Sequence, residues 1–297
     1  MKQSIGVVLR QQIQAGLVEG HDQLGALREP SQAVGENGLI DLPTEELCRL
    51  ICDLVEQLAA EHNVKPAVGL AVPGMVSRGI IDDCPNLPQL KGAKIVHEVS
   101  AGLKERGLDF AVTLCNDADA EAAGIAATRR ELDHRICVWT IGNGIGFGRH
   151  PYSEGAWEGG HMVVTLDPRE RFCACGGSGH LEGIMGNRAM RLRFLDMEPN
   201  EVFVAAQKGD KRCAEFIELW HRALAAATAS QIHLEGPGRF YYTGRDIDRL
   251  DLRRLRQYLE EMVKLSPLQS YAVEILPEDR SRAVIGAAVI AADEAAS

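Results

Sequence analysis

The chain alternates short apolar runs with breaks marked by Gly, Pro, Asn and Asp, and the period of its apolar positions changes along its length. Ile5-Gly6-Val7-Val8-Leu9 is one such run, and Ala15-Gly16-Leu17-Val18 follows so closely that the two predict a hairpin at the edge of a sheet. From Pro43 to Ala60 the spacing becomes helical, with Leu47, Leu50, Ile51, Leu54, Val55 and Leu58 on one face and Thr44 placed to cap the first turn. Ala67 to Val72 and Phe110 to Cys115 read as strands, the first stopped by Pro73-Gly74 and the second by Asn116-Asp117. Ala118 to Arg130 reads as an Ala-rich helix. Ile136 to Ile141 predicts a strand that runs into Gly142-Asn143-Gly144-Ile145-Gly146-Phe147-Gly148. Tyr152 to Gly186, rich in Gly, His and Cys, reads as loop in need of a staple. Helices are expected from Asn187 to Ile232, then a strand near Phe240 to Thr243 and an Ala-rich helix over Ala283 to Ala296.

Strands followed by helices, twice over, indicate an α/β protein with two lobes. A length of 297 residues agrees, at ~150 residues per domain. The linker between lobes is expected within residues 116–136. Acidic residues outnumber basic ones by 42 to 32, for a net charge of -10, which argues against a broad nucleic-acid surface. The densest basic stretch, Leu252-Arg253-Arg254-Leu255-Arg256, reads as a solvated helix face. No apolar run approaches the ~18 residues of a membrane span, and the run after Lys2 is short for a signal peptide, so a cytoplasmic protein is expected. Its eight Cys then stay reduced, and a thiol cluster points to a metal before a disulfide.

One such cluster exists. His161 precedes Cys173-Ala174-Cys175-Gly176-Gly177-Ser178-Gly179-His180, and two thiolates with two imidazoles make a closed tetrahedral zinc set, a structural site with no open position for water. The glycines let the backbone bend both ends toward one ion. A plainer reading is also open, with the C-x-C pair coincidental and His161 a packed core residue. Cys48, Cys52, Cys84, Cys115, Cys137 and Cys213 lack metal spacing and read as small hydrophobes, and Trp139, Trp157 and Trp220 as packing.

The same residues carry a family resemblance. Glu158-Gly159-Gly160-His161, then Cys173-x-Cys175-Gly176-x-x-Gly179-His180-Leu181-Glu182, resembles the signature of the ROK family of sugar kinases, E-x-G-H with C-x-C-G-x-x-G-C-x-E, with His180 at the third Cys. Gly69 to Val76 is similar to its G-x-x-x-P-G-x-V segment and Pro85-Asn86-Leu87-Pro88 to its P-N-L-P. Asn116-Asp117-Ala118-Asp119-Ala120 is similar to N-D-A-N-A, and Gly142-x-Gly144-Ile145-Gly146 to G-T-G-I-G. The resemblance implies an actin-like, two-lobed α/β fold of the ATPase and sugar-kinase (ribonuclease H-like) class, with sugar and ATP meeting in the cleft. It implies a first lobe over residues 1–117, with the helix of about 283–297 packing back on it, and a second lobe over 118–282 that includes the zinc segment. It places Asp117 as catalytic base and Gly74, Asn86, Asn116, Asp117, Glu158, His161 and Glu182 around the sugar. Zinc would be structural, Mg-ATP the donor, and a homodimer or homotetramer the usual assembly. For Asp117 the residues alone leave a second reading, a helix N-cap before the Ala-rich stretch.

The donor side departs. Where the family has D-x-G-G-T, the chain has Val8-Leu9-Arg10-Gln11-Gln12, with Val8 at the metal-holding Asp and Arg10 and Gln11 at the glycines. Side chains there block close approach to a phosphate, although a guanidinium could supply charge. Gly142, Asn143, Gly144, Gly146 and Gly244 remain as nucleotide-contact candidates, with Thr243-Gly244-Arg245 in place of a G-G-G turn. Two readings follow: a kinase for a hexose or N-acetylhexosamine, or a sugar-binding pseudokinase that no longer holds ATP normally. Repressor members carry a helix-turn-helix ahead of a first strand that here begins at Ile5, so a DNA-binding role is not expected.

Overall fold

In the computed structural model, which describes residues 3–31, 38–62, 67–153, 155 and 158–296, three strands come first: β1 (Gln3–Leu9), β2 (Ile13–Glu19) and β3 (Asp22–Arg28). They pair antiparallel in sequence. After α1 (Thr44–His62), β4 (Ala67–Val72) pairs parallel to β1. A small hairpin of β5 (Met75–Ser77) and β6 (Ile80–Asp83) and helix α2 (Ile95–Glu105) lead to β7 (Val112–Asn116), which extends the sheet and runs into α3 (Asp117–Thr128). The sheet order is β3-β2-β1-β4-β7. The expected edge hairpin is therefore not at the edge: β3, with its exposed and polar pattern, takes that place, and β1 lies in the middle.

Burial of β1 on both faces follows from helices on both faces. Ile5, Val7 and Leu9 pack with Leu47, Ile51 and Val55 of α1 and Val99 of α2. Val8 points the other way, into a cluster with Ala71, Cys115 and Ala120 and with Ala283 and Ala287 of a late helix, Arg280–Glu294. That helix lies almost on the sheet backbone. A Cβ at Gly6 or Gly69 would strike the carbonyl of Val284 or Ala287, and one at Gly124 or Gly286 would strike the opposing helix backbone. Small residues on all partners permit the contact. Thr44 is already the first residue of α1, and its hydroxyl donates to the Gln89 carbonyl at 2.9 Å.

The second body of structure begins with β8 (Ile136–Ile141) and β9 (Ile145–His150). Short helices α4 (Leu181–Met185), α5 (Asn187–Arg193) and α6 (Pro199–Gln207) precede the long α7 (Lys211–Glu235), then β10 (Arg239–Thr243), α8 (Leu252–Met262) and β11 (Ala272–Ile275); the late helix is α9. The sheet order is β11-β10-β8-β9. Its core gathers Trp139, Phe147, Trp220, Leu224, Phe240 and Tyr242. Trp139 and Trp220 are fully buried, as packing residues, while Trp157 lies outside the described residues. In α8, Leu255 and Leu259 face the core and Arg253 and Arg256 do not.

By internal contacts the chain falls into two units, residues 1–136, 148–157 and 279–297 in one and 137–147 and 158–278 in the other. The stretch 118–136, assigned to the second lobe from the family pattern, groups with the first unit, because α3 packs on α9 through Gly124 and Gly286. Among the described residues no helix is long and apolar enough to cross a membrane.

Candidate functional site

In the first unit, the end of β7 and the start of α3 form one corner. Asn116, not Asp117, is the N-cap: its Oδ1 accepts from the Ala118 amide at 2.7 Å. Its Nδ2 donates to the Gly74 carbonyl at 2.7 Å. That leaves one amide hydrogen and one lone pair on the side chain for a ligand. Gly74 has φ +97°, and a Cβ there would strike the Asp83 carbonyl. Asn86 is exposed in the turn after β6, a turn fixed to Pro73 by a 2.9 Å contact from the Cys84 thiol to the Pro73 carbonyl.

Freed from capping, the Asp117 side chain meets Arg10, at the tip of the β1–β2 hairpin. Arg10 Nε donates to Asp117 Oδ2 at 2.7 Å, and Nη2 donates to the Asp117 carbonyl at 3.2 Å. The same Nη2 lies 3.5 Å from Glu121 Oε2, and Arg282 Nε lies 3.4 Å from Glu121 Oε1. Burial works against the Arg10 cation, yet Asp117 and Glu121 outweigh it and leave its pKa raised. Glu121 is only 2% exposed; burial pushes its carboxyl up, and Arg10 and Arg282 pull it back. Two residues from each of Asp117 and Glu121, Asp119 accepts from the Arg149 amide at 2.9 Å, and burial raises its pKa to about 7 despite that hydrogen bond.

In the second unit, Glu182 opens α4 and its Oε2 accepts from the Ile145 amide at 2.9 Å. A Cβ at Gly144 would collide with that carboxylate, and one at Gly160 with the Ile145 carbonyl. Glu158 and His161 flank Gly159 and Gly160, with the His161 amide donating to the Glu158 carbonyl at 2.9 Å. The glycines of the Glu158–His161 segment are thus required by β9, whose Phe147 side chain and Ile145 carbonyl lie against Gly159 and Gly160.

His161, Cys173, Cys175 and His180 come together, with one donor atom of each within 4.8 Å of the others. Cys175 Sγ lies 3.4 Å from Cys173 Sγ and 3.2 Å from His180 Nδ1. A tetrahedral zinc with ~2.3 Å bonds to sulfur separates two thiolates by about 3.8 Å, so the four could hold such an ion after small shifts. The Val164 amide donates to the Gly179 carbonyl and the Leu181 amide to the Met162 carbonyl, fixing His180 between them. Burial, then His161, lowers the His180 pKa and favours the neutral, metal-binding ring. Burial pushes the Cys173 thiol up to about 11; a bound dication would offset that cost. The other six Cys are buried and distant from this group.

The candidate nucleotide residues divide. Gly142, Asn143 and Gly144 make the turn, closed by a 3.1 Å bond from the Gly142 amide to the Gly144 carbonyl, whereas Gly146 lies within β9. Gly244, at φ +113°, lies against the Ile141 backbone. Arg245 reaches from there to Asn143, donating from Nη2 to Oδ1 at 2.8 Å. At the family's metal-holding Asp, Val8 is 2% exposed among alanines and Cys115. A cation ligand does not fit that position. The arginine partners of Asp117 and Glu121 are what local spacing missed. The one available hint was two opposite charges, Glu121 and Arg282, set in Ala-rich helices.

The family model of the ROK family matches residues 26–294. A glucokinase of Thermotoga maritima is 27% identical over 291 residues, covering 86% of this chain and 88% of that protein. An N-acetyl-D-glucosamine kinase of Vibrio cholerae is 25% identical over 283 residues, covering 86% and 89%. Among solved structures, a ROK hexokinase from Thermus thermophilus superposes with a TM-score of 0.77 at 23% identity, covering 99% of both chains. The fold is accordingly of the actin-like sugar-kinase class.

Proposed function

The chain belongs to the ROK family, and from that premise we propose that it phosphorylates a hexose or N-acetylhexosamine from ATP, with Asp117 as general base. The observation that carries this is the Asn116–Asp117 corner. Asn116 takes over the capping, so the Asp117 carboxylate is not spent on the helix start. In the proposed step a sugar hydroxyl gives its proton to that carboxylate as its oxygen forms a bond to the terminal phosphorus. The bond from that phosphorus to the leaving oxygen breaks and ADP departs. By the family pattern, Gly74, Asn86 and Asn116 are proposed as contacts to sugar hydroxyls, and so, from the signature segment, are Glu158, His161 and Glu182. The kinases of Thermotoga and Vibrio support the substrate class. Zinc on His161, Cys173, Cys175 and His180 is proposed as a structural brace, supported by the donor set.

A second reading, sugar binding without transfer, is favoured by two specific observations: Val8 buried where a metal-holding carboxylate is expected, and Arg10 paired with Asp117. Calorimetry across hexoses and N-acetylhexosamines, run beside an ADP-release assay, separates the two. The kinase reading expects sugar-dependent ADP release that falls at least about 100-fold in Asp117→Asn. Tight sugar binding with no release leaves only the second reading. No binding of any sugar ends both.

A further inference from the structure

The pair of Arg10 with Asp117 admits three roles. The first is an anion site for a phosphate or an acidic sugar. Counted on its contacts, the group holds two guanidiniums, Arg10 and Arg282, and three carboxylates, Asp117, Glu121 and Asp279, the last 3.8 Å from Arg282. The cations are already matched, so no surplus charge remains to attract a further anion. The second is a strut that neutralises buried Glu121. Arg282, 6% exposed, lies 3.4 Å from Glu121 and serves that purpose, while Arg10 stands nearer to Asp117, at 2.7 Å, than to Glu121, at 3.5 Å. The third is action on Asp117 itself.

We propose that Arg10 is a positioning residue that restrains phosphoryl transfer by gripping Asp117 at two points, Nε on the carboxylate Oδ2 and Nη2 on the main-chain oxygen. This rests on the kinase reading above. The grip comes from a hairpin tip three residues long, held by a 3.1 Å bond from the Arg10 amide to the Gln12 carbonyl, so the guanidinium is not on a loose loop. A hydroxyl approaching Oδ2 competes with Nε for the same oxygen. A proton that lands there ends the ion pair and leaves a half-buried guanidinium with Glu121 alone. The Nε–Oδ2 contact is charge-assisted, the stronger kind of hydrogen bond. A glycine at position 10 makes neither contact.

The test compares the natural protein with Arg10→Gly, Arg10→Gln and Arg10→Lys. Each is assayed for sugar binding by calorimetry, for melting temperature, and for ADP release against sugar concentration with ATP. Arg10→Gly and Arg10→Gln should raise kcat about tenfold or more, with the sugar KM within about twofold. Arg10→Lys, which keeps a cation beside Asp117, should stay near the natural rate. A merely structural residue would give Lys, Gln and Gly variants that differ in melting temperature and not in kcat. The proposal is overturned if folded, sugar-binding Arg10→Gly and Arg10→Gln turn over no faster than the natural protein, whether that rate is measurable or zero. If Arg10→Gly alone fails to fold, the longer Arg10→Gln carries the same expectation. Failure of the natural protein to bind any sugar removes the kinase reading first, and is visible separately in the calorimetry.

Discussion

Two turns between adjacent strands have met opposite fates. The tip of β1–β2, Arg10 to Gln12, has side chains where the family pattern has glycines, while the β8–β9 turn keeps Gly142 and Gly144. The difference lies in what each backbone touches. At the tip, Gln11 and Gln12 are exposed, and among the described residues the only non-glycine positions with positive φ are Arg78 and Arg130. Nothing of the protein's own fold needs a missing Cβ there. At β8–β9, Gly142 has open space beside it, but Glu182 fills the space beside Gly144; on the segment packed against β9, the Ile145 carbonyl presses on Gly160. A glycine that serves only a ligand can be lost without harm to the fold. One that serves the chain's own packing cannot.

That contrast can be broken at several points. The largest effect is expected from Cys175→Ser, which removes one donor of the proposed zinc brace. It should abolish one bound zinc per chain by elemental analysis and lower stability by more than about 4 kcal/mol, given what structural zinc contributes. An unchanged melting curve would show that the packed turn stands without metal. Next comes Asp119→Asn, a departure inside a packed region. Its folded pKa, raised from 3.8 to about 7, makes the ionised form the unfavourable one in the fold. Stability is therefore full below about pH 4 and declines until pH 7. At ~1.4 kcal/mol per unit the ceiling is about 4 kcal/mol. Asp119→Asn should raise the melting temperature at pH 8 and leave it nearly unchanged at pH 4; an equal gain at both would refute the titration. Gly160→Ala should cost about 1–3 kcal/mol through the clash with Ile145, read by denaturant unfolding. The smallest effect belongs to Gln11→Gly, under about 1 kcal/mol and with either sign. A loss there as large as that of Gly160→Ala would erase the distinction between the hairpin tip and the glycines packed against the chain's own backbone.

Periodic elements were the legible part of the fold. The bounds of β4 and β8 follow from apolar runs of strand length, and α1 from a complete helical stripe. β3 was not legible, because an exposed edge strand with Gly25 in it carries no apolar alternation. In the candidate site, the two Cys and two His converge as their spacing suggests, since the linking glycines make the closure local. The partner of Asp117 was beyond reach: Arg10 lies 107 positions away, and no local period links a hairpin tip to a helix start. The cap itself was one residue off: the sequence suggests Asp117 for it, and the geometry gives it to Asn116.

The close approach of α9 to Gly6, Gly69 and Gly124 also has a consequence for biosynthesis. Strands β1, β4 and β7 emerge from the ribosome with one face bare, and the helix that shields it, Arg280–Glu294, is translated after the whole of the second unit. At ordinary elongation rates that delay is on the order of ten seconds. During it Val8, Ala71 and Cys115 lack their cover. The nascent half-sheet is the stage at which a chaperone, or a premature stop, has most to act on.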